Sequence, residues 1–163
     1  MEGRTLLLDL PDLDATRTLG RRLARCLAPG DVVLLEGDLG AGKSELARAV
    51  IRDLAGADIP VPSPTFTLVQ TYDLPRLEVS HSDLYRLSGL EEVVELGLEE
   101  LWRQGALLVE WPDRAPALWP AERLAVELIL RPEVGPAVRR ARLNGTGRWS
   151  DLLPKLATTG HPG

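Results

Sequence analysis

A single α/β domain is what this sequence predicts, with a mixed, mostly parallel sheet, an antiparallel hairpin and helices on both faces. Three observations carry that expectation. The apolar run Asp31-Val32-Val33-Leu34-Leu35-Glu36 enters a glycine-rich loop and then a helical stretch from Ser44 to Leu54. A second apolar run, Ala106 to Val109, stops at Glu110-Trp111-Pro112. Unbroken apolar runs of this length suit strands covered on both sides. A further run rich in β-branched and aromatic residues, Thr65 to Tyr72, is joined by the turn Asp73-Leu74-Pro75 to the strand Arg76 to Leu84, with Leu77, Val79, His81 and Asp83 on one face, which predicts a hairpin.

The remaining elements are taken in chain order. Thr5 to Leu10 is a short apolar strand. Asp12 and Asp14 are placed to cap a helix whose Leu13, Leu19, Leu23 and Leu27 share one face and which ends by Pro29-Gly30. The helix after the glycine loop turns Leu46, Ala49, Val50 and Leu54 inward and stops near Gly56. Ile59-Pro60-Val61-Pro62-Ser63-Pro64 is a stiff extended loop, because prolines at this density suit neither a helix nor a central strand. Glu91 to Leu96 and Glu99 to Trp102 are short acidic helices broken at Gly97. Arg123 to Leu130 and Ala137 to Leu143 are strands, Asn144-Gly145-Thr146 is a turn, and Trp149 to Leu156 is a short closing helix. Residues 1–157 form the domain and 158–163 a frayed tail.

Composition narrows the function. The 163 residues suit one domain with a real core, and 44% hydrophobic with 26% charged residues is the balance of an ordinary soluble protein. A net charge of -5 argues against a large basic surface for tRNA or DNA and leaves room for a local patch. With Cys26 as the sole cysteine there is no intrachain disulfide, and a reducing compartment, the cytoplasm, is expected. Neither a signal peptide nor a membrane span is expected. The only lysines are Lys43 and Lys155, and neither sits in the Asn/Thr-Lys-x-Asp pattern with which small GTPases read guanine. Adenine is the expected base.

Gly37-Asp38-Leu39-Gly40-Ala41-Gly42-Lys43-Ser44 matches the phosphate-loop (Walker A) pattern in full, and its strand–loop–helix context is the one that pattern needs. Glycines let backbone N–H groups close on phosphate oxygens, and the helix start adds unpaired N–H groups and the positive end of a dipole. Lys43 is expected to reach the β- and γ-phosphates of ATP, and Ser44 to put its hydroxyl on Mg2+. A carboxylate at a neighbouring strand end should complete the site. Glu110 and Asp83 both qualify, and an apolar strand ending in an acid favours Glu110; one can order the magnesium shell while the other orders the attacking water. The hydroxyls of Ser63, Thr65 and Thr67 stand where a switch loop could sense the γ-phosphate, or where a plain turn enters a strand. His81 is placed either to relay a proton or to pack as a core histidine. Trp111 either covers the site or packs.

Four motifs together, the phosphate loop, Ser63-Pro64-Thr65-Phe66-Thr67-Leu68-Val69, His81-Ser82-Asp83-Leu84-Tyr85-Arg86-Leu87 and Val109-Glu110-Trp111-Pro112, resemble those of the TsaE family in order and spacing. That family consists of small bacterial ATPases needed to make N6-threonylcarbamoyladenosine, the modified tRNA adenosine next to the anticodon. The resemblance runs from about Asp12 to Leu130. It implies a mixed-sheet P-loop protein that binds ATP and Mg2+, hydrolyses ATP slowly, and acts with TsaB and TsaD, resetting that pair rather than performing the transfer. It implies phosphate binding by Leu39, Gly40, Ala41, Gly42, Lys43 and Ser44, magnesium-site roles for Ser44 and Glu110, and a Walker B-type role for Asp83. It further implies a switch-like loop from Ser63 to Thr67, a tryptophan at Trp111 beside the acid, and a nucleotide border formed by Thr16 and the basic strand near Val138 and Arg139. The chain departs from the family at Ser44, often threonine there, and at Ser82, commonly aromatic. A monomer in isolation and indirect or weak tRNA contact are expected. The alternatives are a small-molecule P-loop kinase, for which no clear lid is visible, and a nucleotide-gated binding module without catalysis.

Overall fold

The computed structural model describes residues 3–157; the tail expected at 158–163 lies outside the described residues. Among these residues seven strands form one sheet: β1 (Gly3–Leu10), β2 (Val32–Glu36), β3 (Val69–Asp73), β4 (Glu78–Asp83), β5 (Ala106–Glu110), β6 (Leu124–Leu130) and β7 (Arg139–Thr146). Their spatial order is β1-β7-β6-β2-β5-β4-β3. The central strands β6, β2, β5 and β4 run parallel; β3 pairs antiparallel with β4, and β7 pairs antiparallel with both β6 and β1. The expected hairpin is β3–β4, and β6–β7 is a second one.

Among the described residues five α-helices cover the sheet: α1 (Leu13–Cys26), α2 (Lys43–Ala55), α3 (Leu90–Val94), α4 (Leu98–Gln104) and α5 (Arg148–Leu156). Strand periodicity decides which face each residue serves. Val33 and Leu35 of β2 join Leu108 and Val126 beneath Leu19 and Leu23 of α1, Leu46 and Val50 of α2, and Leu153 and Leu156 of α5. Val32 and Leu34 join Leu107 and Val109 on the other side, against Val93 of α3 and Leu98 and Trp102 of α4. Asp12 caps α1, its carboxylate accepting from the Ala15 N–H at 2.8 Å. Gly56, in the left-handed region at φ 67°, ends α2.

Four local expectations are corrected. Residues 65–68 are a turn, and the strand starts at Val69. The Leu68 N–H turns back to the Pro64 carbonyl at a φ of 69°, while the Leu68 carbonyl accepts from the Asp83 N–H at 3.1 Å and the Ser82 hydroxyl at 2.8 Å. Asn144-Gly145-Thr146 belongs to β7, because β1 supplies a partner for each residue and the Thr5 hydroxyl donates to Asn144 Oδ1. Leu13 stands exposed at the start of α1, where the first turn overhangs the core. In α2, Ala47 and Ile51 take the fully buried positions and Ala49 is only half-buried.

Among the described residues no helix is long and apolar enough to cross a membrane.

Candidate functional site at the phosphate loop

The parallel strands β2, β5 and β4 end on the same side of the sheet, and their register brings residues at their C-terminal ends into a row. Leu35 of β2 pairs with Glu110 of β5, and Glu110 pairs with Asp83 of β4. The phosphate loop leaves β2 beside this row. Ligands of open α/β sheets gather at the carboxyl ends of parallel strands for the same geometric reason.

The loop needs glycine at two places for reasons the structure makes explicit. At Gly37 φ is +138°, and a Cβ would lie 2.5 Å from the Leu128 carbonyl oxygen. Gly42, at φ 110°, occupies the N-cap of α2 and offers no side-chain cap, so the first-turn N–H groups remain available to an anion. From β7, Arg139 Nε donates to the Ala41 carbonyl at 3.1 Å and Nη2 to the Gly40 carbonyl at 3.2 Å. The basic strand thus braces the loop from outside.

Lys43 is buried. Its Nζ donates to the carbonyls of Gly37 and Asp38 and lies 4.3 Å from the centre of the Trp111 ring. Burial pulls its pKa below the ordinary lysine value; the carboxylates of Glu110, Asp83, Asp38 and Asp113 work in the opposite direction. Ser44 Oγ lies 3.0 and 3.1 Å from the two carboxylate oxygens of Glu110. On the far side Glu110 Oε2 is 2.7 Å from His81 Nε2, with both side chains buried. Asp83 accepts from the Thr65 hydroxyl at 3.2 Å and from the Tyr85 N–H at 3.0 Å. The hydroxyls of Ser63 and Thr65 are 2.8 Å apart. Trp111 sits in the left-handed region at φ 59°, and its ring centroid is 4.9 Å from that of Tyr85. The Arg114 guanidinium lies over both rings and donates to the Tyr85 carbonyl.

These groups enclose a cleft of about 410 Å³, lined by Leu39, Gly40, Gly42, Lys43, Ser44, Ser63, Thr65, Asp83, Glu110 and Trp111, with Glu45 and Tyr85 besides. Most of the sequence-derived candidates are therefore brought together. Ala41 is buried beneath the loop. Thr67 lies outside the cleft, its hydroxyl accepting from Gln70, and Thr16 is buried within α1 and does not line it. Sequence reasoning missed Tyr85, whose aromatic ring two residues after Asp83 was the available signal. It also missed the contact between His81 and Glu110, for which sequence carries no signal. A larger groove of about 510 Å³ lies between α1 and α2. Two of its arginines are occupied structurally: Arg48 binds Glu45 and the Val61 carbonyl, and Arg52 binds Asp58 and the Ile59 carbonyl.

Among the described residues no group of three or more His, Cys, Asp and Glu side chains is placed to hold a metal ion by itself. The donors present, one hydroxyl and two carboxylates beside a phosphate loop, are hard oxygens. They suit Mg2+, which typically takes one or two protein oxygens and completes its shell with phosphate and water.

A family model described as threonylcarbamoyl adenosine biosynthesis protein TsaE matches residues 10–136. The chain is 43% identical over 107 residues to the tRNA threonylcarbamoyladenosine biosynthesis protein TsaE of Rickettsia felis, a match covering 66% of this chain and 63% of that protein. It thus spans less than two thirds of that relative's length. The protein of the same name from Synechocystis is 44% identical over 123 residues, covering 72% of this chain and 77% of the relative. The crystal structure of Bacillus subtilis YdiB superposes with a TM-score of 0.79 at 29% identity, covering 96% of each chain.

Proposed function

This chain belongs to the TsaE family, and from that premise we propose that it is a magnesium-dependent, slowly hydrolysing ATPase subunit for threonylcarbamoyl modification of the tRNA adenosine next to the anticodon. It acts with TsaB and TsaD and resets that pair between turnovers. The observation that carries the reading is the contact of the Ser44 hydroxyl with both carboxylate oxygens of Glu110 at the mouth of the phosphate loop.

The residues divide the work. Loop N–H groups from Leu39 to Ser44 receive the phosphates of ATP. Lys43 exchanges the carbonyls of Gly37 and Asp38 for β- and γ-phosphate oxygens, regaining with an anion what burial costs its charge. Ser44 and Glu110, with Asp83 beside them, would hold Mg2+, which supplies charge neutralisation on the phosphates. Asp83 and Thr65 face the same cleft and order the attacking water. Because Thr65 lies on the 64–68 turn with Ser63 hydrogen-bonded to it, contact with the terminal phosphate would be transmitted to that turn and to the surface it presents. Phe66 is 81% exposed there, as a partner-facing residue would be.

The test is magnesium-dependent phosphate release from ATP by this chain alone and with a TsaB–TsaD pair. Slow release that changes on adding the pair is expected. Phosphate release indifferent to the pair would return the chain to the kinase alternative, and no release with or without the pair to the binding module.

A further inference from the structure

His81 is the buried polar residue that the phosphate-loop pattern leaves unexplained. It is 1% exposed on the central part of β4. On that strand it shares a face with Val79 below and Asp83 above, and its partner across β5 is Leu108. Glu110, two residues beyond Leu108, is therefore its diagonal neighbour on the same face of the sheet. The ring lies between the apolar layer and the floor of the cleft. An apolar side chain there would cost nothing in desolvation, so the imidazole must return something specific.

Its hydrogen bonding says what. Nε2 lies 2.7 Å from Glu110 Oε2. Nδ1 is buried with no hydrogen-bond partner among the described residues. A carboxylate oxygen is the acceptor in this contact, so Nε2 carries the hydrogen, and with the hydrogen there no ring N–H is buried without an acceptor. The imidazole thus has one polar contact, and it goes to the carboxylate that meets Ser44 Oγ at 3.0 and 3.1 Å. Glu110 is gripped from below by His81 and faces the phosphate loop above.

We infer that His81 is a positioning residue, whose Nε2–H holds the Glu110 carboxylate turned toward Ser44 at the end of β5. This rests on the reading of Ser44 and Glu110 as the magnesium-site pair. Outer partners of metal-site carboxylates act in this way, and their loss typically weakens metal affinity by about 10- to 100-fold.

The experiment is calorimetric titration of ADP into the whole chain, with Mg2+ and with EDTA, for the unaltered protein, His81→Leu and His81→Gln. Without magnesium, His81→Leu should bind ADP within about twofold of the unaltered protein, because the loop is intact. With magnesium it should lose about tenfold of the added affinity. His81→Gln, whose side-chain amide restores an N–H donor, should recover most of that loss. An equal magnesium-dependent gain in all three proteins overturns the inference, as does an equal loss in both variants, which assigns the effect to ring packing. No ADP binding by the unaltered protein overturns the reading of the site itself. If His81→Leu fails to fold, nitrogen-15 NMR of the unaltered chain decides. With His161 the only other histidine, assignment is simple. The His81 ring should carry a hydrogen on Nε2, and a ring with its hydrogen on Nδ1 alone overturns the proposal.

Discussion

Ser44 Oγ and Glu110, sixty-six residues apart in the chain, meet at 3.0 and 3.1 Å where α2 begins and β5 ends. Neither position has latitude. Ser44 lies in the first turn of α2, just after the N-cap glycine, and Glu110 is locked by its register with Leu35 on one side and Asp83 on the other.

Removing the acid should separate binding from turnover. Glu110→Ala is expected to retain ADP binding within about tenfold without magnesium, while ATP hydrolysis falls by about two orders of magnitude, the scale of a lost positioned acid–base or charge-stabilising group. Steady-state phosphate release beside ADP titration checks it; full turnover by the variant would remove Glu110 from the chemistry.

Lys43→Met should abolish nucleotide binding without destabilising the empty protein. Burial lowers the Lys43 pKa from 10.5, so the unfolded chain holds this proton more tightly than the folded one. The stability of the unaltered protein should therefore rise relative to Lys43→Met as pH climbs from the lowered folded pKa toward 10.5. Thermal melts of both proteins across that range test the sign, and a melt with ADP should shift upward only for the unaltered protein.

Glu36, at the end of β2, is a second electrostatic liability. Burial raises its pKa above 4.5, and the carboxylates of Glu127 and Asp113 add to the effect. Its ionised form opposes folding in full above the raised folded pKa, and the penalty disappears as pH falls below 4.5. Glu36→Gln should raise the melting temperature by about 1–3 °C at pH 7 and leave it unchanged near pH 4. A lower melting temperature at pH 7 would contradict this account.

Gly20 is where α1 and α2 touch. A Cβ there would lie 2.6 Å from the Ala49 Cβ and 3.1 Å from the Leu46 carbonyl oxygen. Overpacking outweighs the helix propensity that alanine would add. Gly20→Ala should cost about 1–3 kcal/mol in urea unfolding. A gain in stability would mean that the helices can part without loss.

The Ser82 hydroxyl donates to the Leu68 carbonyl at 2.8 Å and ties the 64–68 turn to β4. Ser82→Ala should leave the fold intact and increase amide hydrogen exchange in residues 63–68 several-fold, as expected when a loop loses one of its few anchors.

The features legible in the sequence were those that depend on near neighbours. The phosphate loop, the Asp12 cap, the buried apolar strands and the β3–β4 hairpin all arise from backbone sterics, side-chain period or turn chemistry acting over a few residues. So did the candidacy of Glu110 and Asp83 as strand-end acids. Tertiary structure decided what depends on register between distant strands. It set Glu110 opposite Asp83 and diagonal to His81, and turned Asn144-Gly145-Thr146 from a turn into strand by giving it β1 as a partner. It also kept 65–68 out of the expected strand, because the Leu68 N–H turns back to the Pro64 carbonyl at a φ of 69° instead of pairing with β4. Side-chain period says which face a residue occupies, but only the hydrogen-bonded pairing of strands says which residue lies opposite, and the candidate site is built from that pairing.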